Sequence, residues 1–355
     1  MRSSGTRREW SIITTGGTVR WGGDARRQYI FRALAGMTRA REVHGFSIET
    51  LRGAFPPHDD RVVGERRTVA SAELLGANAL GVLRDRADLA VVDLHDHPLL
   101  QLETLGMTIA EERRQELTAV FERNTSSFEL LVAPSRTFAT LARLDLDKVL
   151  VAPNGTETVA MPAAPLPHGH TIGMASGAAP GRGIETLIDA VGLLRRTRAD
   201  VRLLLWLVGT GEDSDRYLEG LRERIVSHDW ARIETVPYDS MCLAMSQVSV
   251  LCVPHPRSPY MDAVLPIKLA DSMGSGRPVV VTPCTEMAEM VERARAGVVA
   301  RGDTADDLAA AIDSVFAHPH KAHKMARAAR RFAQRELDWR VIGKRLARQI
   351  LGRIA

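Results

Sequence analysis

The chain has 355 residues, too many for one ordinary domain and comfortable for two, and its 45% hydrophobic and 25% charged residues exclude a disordered polymer. A net charge of +4 is compatible with nucleic acid, anionic lipid or a phosphorylated ligand and selects none of them. No apolar run reaches the roughly 18 residues of a membrane span, the polar, basic start of the chain is not followed by the apolar stretch of a signal peptide, and Cys242, Cys252 and Cys284 match neither a disulfide framework nor zinc spacing, which fits a reducing cytoplasm.

In the first half, strands are predicted at 10–15, 43–48, 67–70, 89–94, 129–133 and 148–152, with helices between them, among them 24–35 and 108–124. Several strands are apolar on both faces, as parallel strands covered on both sides are. The proline-rich, aperiodic segment 161–170 reads as a linker. The second half repeats the alternation. Strands are predicted at 171–175, 201–208, 232–236, 248–253, 278–282 and 297–300, and helices at 184–196, 213–227, 265–274, 286–294 and 304–316. A basic helical tail, 321–331, precedes a last helix from Trp339 to near 354. Strand–helix alternation implies crossover units and doubly wound sheets, whose ligands bind at the carboxyl ends of the strands. The expected fold class is therefore α/β with two Rossmann-like domains, at 1–155 and 171–337, a linker at 156–170, and a C-terminal helix at 338–355.

The strongest local signal runs from Val264 to Val281: a loop, a helix, a glycine stop and a buried strand. Free N–H groups at the helix start would face an anion, Lys268 adds a full charge beside them, and Asp271 shares its helix face three residues on. A cation for a diphosphate and a carboxylate for ribose hydroxyls suit a nucleotide; a surface helix with a solvated Lys and Asp is the plainer alternative. A second signal, Gly173 to Gly183, is rich in small residues, with Ser176 and Gly177 after a strand and Arg182 at a helix start. It is neither a Walker loop nor a dinucleotide fingerprint.

With Leu207-Val-Gly-Thr-Gly-Glu-Asp213 and Val151-Ala-Pro-Asn-Gly-Thr156, these segments resemble the GT-B glycosyltransferases, in particular the retaining group called family 4. The resemblance implies a first domain for the acceptor, a second for a nucleotide-sugar donor, a cleft between them, and a last helix that crosses back onto the first domain. It implies that Arg182 and Lys268 hold the donor diphosphate and that Asp271 holds ribose hydroxyls. Residues 262–265, including Val264 and Leu265, would present backbone amides to phosphates and sugar, Ser176 and Gly177 would line the donor, and Val236-Pro-Tyr238 would border the base. Gly17 and Gly23, in the glycine-rich stretch after the first strand, would reach the cleft. The sequence departs from the family's paired glutamates: the second is the shorter Asp271, and the first position is Ala263 beside Asp262.

In the first half, Val91-Val-Asp-Leu-His-Asp-His-Pro98 resembles the family's His-Asp phrase; His95 would touch the transferred sugar or acceptor, and Asp93 and Asp96 would serve as base in an inverting enzyme. A polar turn in which Asp96 and His97 cap a helix is the alternative. Two Asp-x-Asp matches, Asp145-Leu-Asp147 and Asp213-Ser-Asp215, do not follow a strand as a metal–diphosphate site requires, so no metal and no cofactor beyond the nucleotide-sugar co-substrate is expected. The expected activity is hexosyl transfer to a small-molecule, glycan or lipid-linked acceptor. An inverting transferase, a nucleotide-sugar epimerase and a non-catalytic nucleotide-sugar-binding partner are the alternatives. No nucleic-acid partner is expected, and the basic tail reads as the solvated face of a packed helix, with anionic membrane contact as the less favoured reading.

Overall fold

The structure, a computed structural model, describes residues 11–14, 42–45, 67–70, 89–94, 97–104, 108–161, 164–209 and 211–353. The chain divides into two compact units: residues 1–102, 108–153 and 339–355 form one, and residues 103–107 and 154–338 the other.

The first unit holds a six-stranded sheet in the order β2-β1-β3-β4-β5-β6, built from β1 (Ser11–Thr14), β2 (Glu42–Gly45), β3 (Arg67–Ala70), β4 (Leu89–Asp93), β5 (Leu130–Ala133) and β6 (Val149–Val151). All its pairings are parallel. β5 is buried along its whole length, as a strand covered on both faces should be. Among its helices are α1 (Pro98–Thr104), α2 (Glu111–Ser127) and α3 (Arg136–Leu141). Ser135 caps α3 by accepting from the Phe138 amide. The last helix of the chain, Trp339–Gly352, belongs to this unit and packs beside β6.

The second unit holds another six-stranded parallel sheet, made of β7 (Thr171–Gly177), β8 (Arg202–Val208), β9 (Ala231–Glu234), β10 (Val250–Val253), β11 (Val279–Val281) and β12 (Gly297–Val299), in the order β12-β11-β10-β7-β8-β9. The runs Leu203–Leu207, Val250–Val253 and Val279–Val281 have almost no polar side chain because both faces are covered. On one face Ile172, Leu203, Leu205 and Val250 pack against α4 (Ile184–Leu194) and α10 (Ala305–Phe316) through Ile184, Leu187, Leu308 and Ile312. On the other, Trp206 and Leu251 pack with Met245 and Val248 beside α6 (Tyr238–Met245). Each fully buried side chain of this size contributes about 1.5–3 kcal/mol. The remaining helices are α5 (Glu212–Ile225), α7 (Pro259–Ala263), α8 (Ile267–Gly274), α9 (Thr285–Ala294) and α11 (Pro319–Phe332), followed by a π turn at Ala333–Leu337.

The two sheets bear out the doubly wound α/β expectation. Three short helices were not foreseen: α3, α6 and α7, none longer than eight residues. Two turns leave too little periodicity to register in a sequence. The expected helix at 24–35 lies outside the described residues. The segment read as a linker is tied down at its start. The Thr156 amide donates to the Leu337 carbonyl at 2.8 Å, the Thr158 hydroxyl donates to the Asp338 carboxylate, and Thr156, Thr158 and Met161 are buried.

Candidate functional site

In the second unit the strand order reverses between β10 and β7, so the connections leaving these neighbours diverge and open a crevice beyond their carboxyl ends. Chemistry on the βα turns after these two strands therefore converges. β7 ends at Gly177, and the turn into α4 ends with Gly183 at φ 74°, a left-handed conformation that glycine adopts without cost. A Cβ built on Gly183 would stand 1.7 Å from the Pro254 carbonyl oxygen, so the turn bearing Arg182 abuts the loop after β10 only because residue 183 has no side chain.

Lys268 enters from the first turn of α8. Pro266 sits just before that helix at φ −71°, ψ 140°. The Lys268 ammonium donates to Ser176 Oγ at 3.0 Å, which joins the two sequence signals at one point. Burial, and then the Arg182 charge, push the Lys268 pKa well down. His255, two residues past β10, is 1% exposed, and neither ring nitrogen has a hydrogen-bond partner among the described residues. Burial, followed by the charges of Lys268 and Arg182, holds its imidazole neutral. Among the described residues no carboxylate pairs with Arg182 or Lys268. Half-buried cations facing strand ends without a counterion form a preorganised site for an anion.

The rest of the frame holds α8 in place. Asn154 Nδ2 donates to the Leu265 carbonyl at 2.6 Å, and Leu265 is buried. Val264 is extended between α7 and α8. A Cβ on Gly274 would come within 2.6 Å of Met161 Sδ and 2.9 Å of Thr156 Cγ2, so α8 ends flush against residues 156–161. Arg330 closes that end, donating to the Gly274 carbonyl at 2.8 Å and to the Met161 carbonyl at 3.0 Å, where the helix dipole favours a cation.

Asp271 lies one turn beyond Lys268. Burial pushes its carboxyl up to about 7, and a hydrogen bond with Thr156 pulls the other way. Lys268 and Asp271 share a helix, but one reaches Ser176 and the other Thr156. Asp262, beside the position where the resemblance has its first acid, is occupied otherwise: its carboxylate pairs with Arg257 at 2.9 Å and accepts from the Thr285 amide at the start of α9. Gly177 is exposed, and a Cβ there would meet nothing within 4 Å, so packing does not require glycine. Tyr238, expected to border the base, opens α6.

His95, Asp96, Gly17 and Gly23 lie outside the described residues. Of the phrase around them, Asp93 is buried at the end of β4, and His97 Nδ1 accepts from the Leu100 amide at 3.3 Å while its ring stacks on Phe121. For His97 the helix-capping alternative therefore describes the observed contact. The Asp-x-Asp pairs have local duties: Asp145 accepts from the Asp147 amide in a turn, and Asp213 pairs with Arg216 on α5. Sequence reasoning missed His255, whose only signal is a Pro-His-Pro after an apolar strand, and it missed the bracing role of Asn154.

Residues 169–318 match the family model described as glycosyl transferases group 1. Among curated proteins, the chain is 28% identical over 180 residues to a GDP-mannose-dependent alpha-(1-6)-phosphatidylinositol monomannoside mannosyltransferase of Mycolicibacterium smegmatis, covering 49% of this chain and 46% of that protein. It is 24% identical over 170 residues to glycogen synthase of Mycobacterium tuberculosis, covering 48% of this chain and 39% of that one. The matched part thus spans less than half the length of either relative. Among solved structures, that of HepE of Anabaena in complex with UDP-glucose superposes with a TM-score of 0.70 at 18% identity, over 97% of this chain and 99% of that one. In fold, then, this chain is of the GT-B type, and its second unit carries the glycosyl transferases group 1 match.

Proposed function

We propose that the protein is a glycosyltransferase of the retaining family 4 kind, which moves a hexosyl group from a nucleotide-diphosphate sugar to an acceptor hydroxyl without a metal ion. The observation that carries this reading is the convergence of Arg182 and Lys268 beside Ser176 at the strand-order reversal, two cations with no carboxylate between them. As the bond to the leaving diphosphate breaks, charge develops on its oxygens. Cations already in position stabilise that charge with no reorganisation. His255 beneath them, kept neutral, adds no charge of its own and offers a ring N–H to a ligand oxygen. Asp271 receives the ribose hydroxyls, and Val264 and Leu265 offer backbone amides to the sugar and phosphates. His95, Asp96, Gly17 and Gly23, outside the described residues, are assigned to the acceptor's side of the reaction. We place the protein in the cytoplasm, on its free cysteines.

A thermal-shift series with UDP, GDP and ADP and their sugars tests the reading, because a ligand bound to the native state raises its melting temperature. One nucleotide should stabilise the wild-type chain and not Lys268→Ala. Stabilisation by none of them, or an equal shift in both chains, overturns the donor site. The anomer of the product, read by NMR, tests retention. Survival of turnover in EDTA tests the absence of a metal.

A further inference from the structure

The second unit holds another concentration of positive charge that the donor reading does not use. In a parallel sheet the helix after a strand runs back toward the strands' amino ends, so the last turn of α9 lies at the opposite edge of the sheet from Ser176 and Lys268. There a groove of about 360 Å³ opens between the end of α9 and the end of α11 with its π turn. Arg293 and Arg295 line it from one side and Arg331 and Arg335 from the other, with Glu336 the one carboxylate among the lining residues.

All four arginines are exposed, and none of them forms an ion pair with a described residue. One is held in place by more than solvent. The Arg293 guanidinium lies over the Phe332 ring, 5.3 Å from its centroid. Arg295 adopts the left-handed conformation at φ 51°, ψ 40°, which is uncommon for a residue with a side chain. The helix dipole at the ends of α9 and α11 accounts for one cation in each last turn. It does not account for four converging on one groove against a single acid. α11 continues the basic surface with exposed Lys321, Lys324 and Arg327 and has no acidic residue.

We propose that this groove is a second anion site, which binds a phosphate group through the forks of Arg293, Arg295, Arg331 and Arg335. Guanidinium forks match the paired oxygens of a phosphate in geometry as well as in charge, and a groove of this volume admits the phosphate with part of the molecule that carries it. The phosphate has two possible sources, a soluble phosphorylated molecule and the headgroup of an anionic lipid.

The experiment uses the full chain in four forms: wild type, Lys268→Ala, the double variant Arg331→Gln/Arg335→Gln, and the triple variant that combines all three substitutions. The double variant keeps side-chain length and helix propensity, and its melting temperature should match the wild type. Titration calorimetry with inorganic pyrophosphate should find a site in Lys268→Ala that becomes about ten-fold weaker or worse when Arg331→Gln and Arg335→Gln are added to that variant. Because the donor cation is already absent in Lys268→Ala, this result stands or falls independently of the glycosyltransferase reading. In parallel, flotation is run with vesicles of phosphatidylglycerol and of phosphatidylcholine. Capture by phosphatidylglycerol alone, lost in the double variant, assigns the site to a lipid headgroup; pyrophosphate binding without vesicle capture assigns it to a soluble phosphate. If pyrophosphate treats Lys268→Ala and the triple variant alike, and vesicles treat the wild type and the double variant alike, the proposal is wrong.

Discussion

Two groups of cations in the second unit carry the same sign of charge under opposite conditions. Arg182 and Lys268 are half-buried at the strand ends, close enough that each opposes the other's charge, and the Lys268 amine is pushed well below its ordinary range. Arg293, Arg295, Arg331 and Arg335 stand in solvent at the other edge of the sheet. Water screens the second group, so keeping it costs the fold almost nothing. The first group is unfavourable to the fold and is retained at a place where an anion would relieve the strain. Cost, more than charge, separates a site built for one ligand from a surface that favours a class of ligand.

The sharpest way to break that contrast is Lys268→Ala. Turnover with the matching donor should fall by about 100-fold or more, while the fold, relieved of a buried cation, should be no less stable. Normal turnover would remove the distinction between the two groups. Gly183→Ala comes next. Its Cβ would collide with the Pro254 carbonyl and hold φ near 74° at a cost, so unfolding by denaturant should show a loss on the order of 2–4 kcal/mol, together with weaker donor binding.

Asp271→Asn tests the same idea with the opposite sign of charge. The Asp271 carboxyl rises from 3.8 to about 7 on folding, so its contribution is most favourable below pH 4 and is lost as pH rises through 7. Removing the ionisable group should therefore stabilise the protein at pH 8 by on the order of 1–3 kcal/mol and leave it unchanged at pH 4, while raising the donor Michaelis constant. A stability gain without a change in that constant would restrict Asp271 to a structural part. The depressed Lys268 amine predicts a smaller signal. An arriving diphosphate favours the charged form, so calorimetry in buffers of different ionisation enthalpy should find proton uptake on binding that grows as pH rises. The smallest expected effect is that of Arg331→Gln on donor turnover and on stability, within about 0.5 kcal/mol for the latter.

The sheets were legible because parallel strands buried on both faces write themselves as short apolar runs: β3 falls on the expected residues 67–70, and β8 begins one residue inside its expected range. A short helix was legible where glycine or proline marks its ends, as in α8. The segments bearing Ser176 and Lys268 were each legible as motifs, but the bond that joins them was not. Three features could not be read locally. The lone His255 is made notable by what fails to contact it. Asn154 braces Leu265 across 111 residues of chain. The Asp262 carboxylate goes to Arg257 and Thr285, a choice that only the arrangement of α7 and α9 decides.

The short parallel pairing of Thr156 with Asp338 has a consequence for how such a chain can be taken apart. The first unit is interrupted after Pro153 and resumes at Trp339, and the two crossing strands of chain lie side by side. In sequence, almost the whole second unit is thus an insertion whose ends already meet. Nearly adjacent ends make closing that loop cheap in entropy, and they are the geometry in which modules tolerate excision, transplantation and circular permutation. A fragment spanning 154–338 should fold by itself and, on the function proposed above, bind a nucleotide. The specificity of such an enzyme for its donor could then be exchanged by moving one cassette, with both cuts made at a single place.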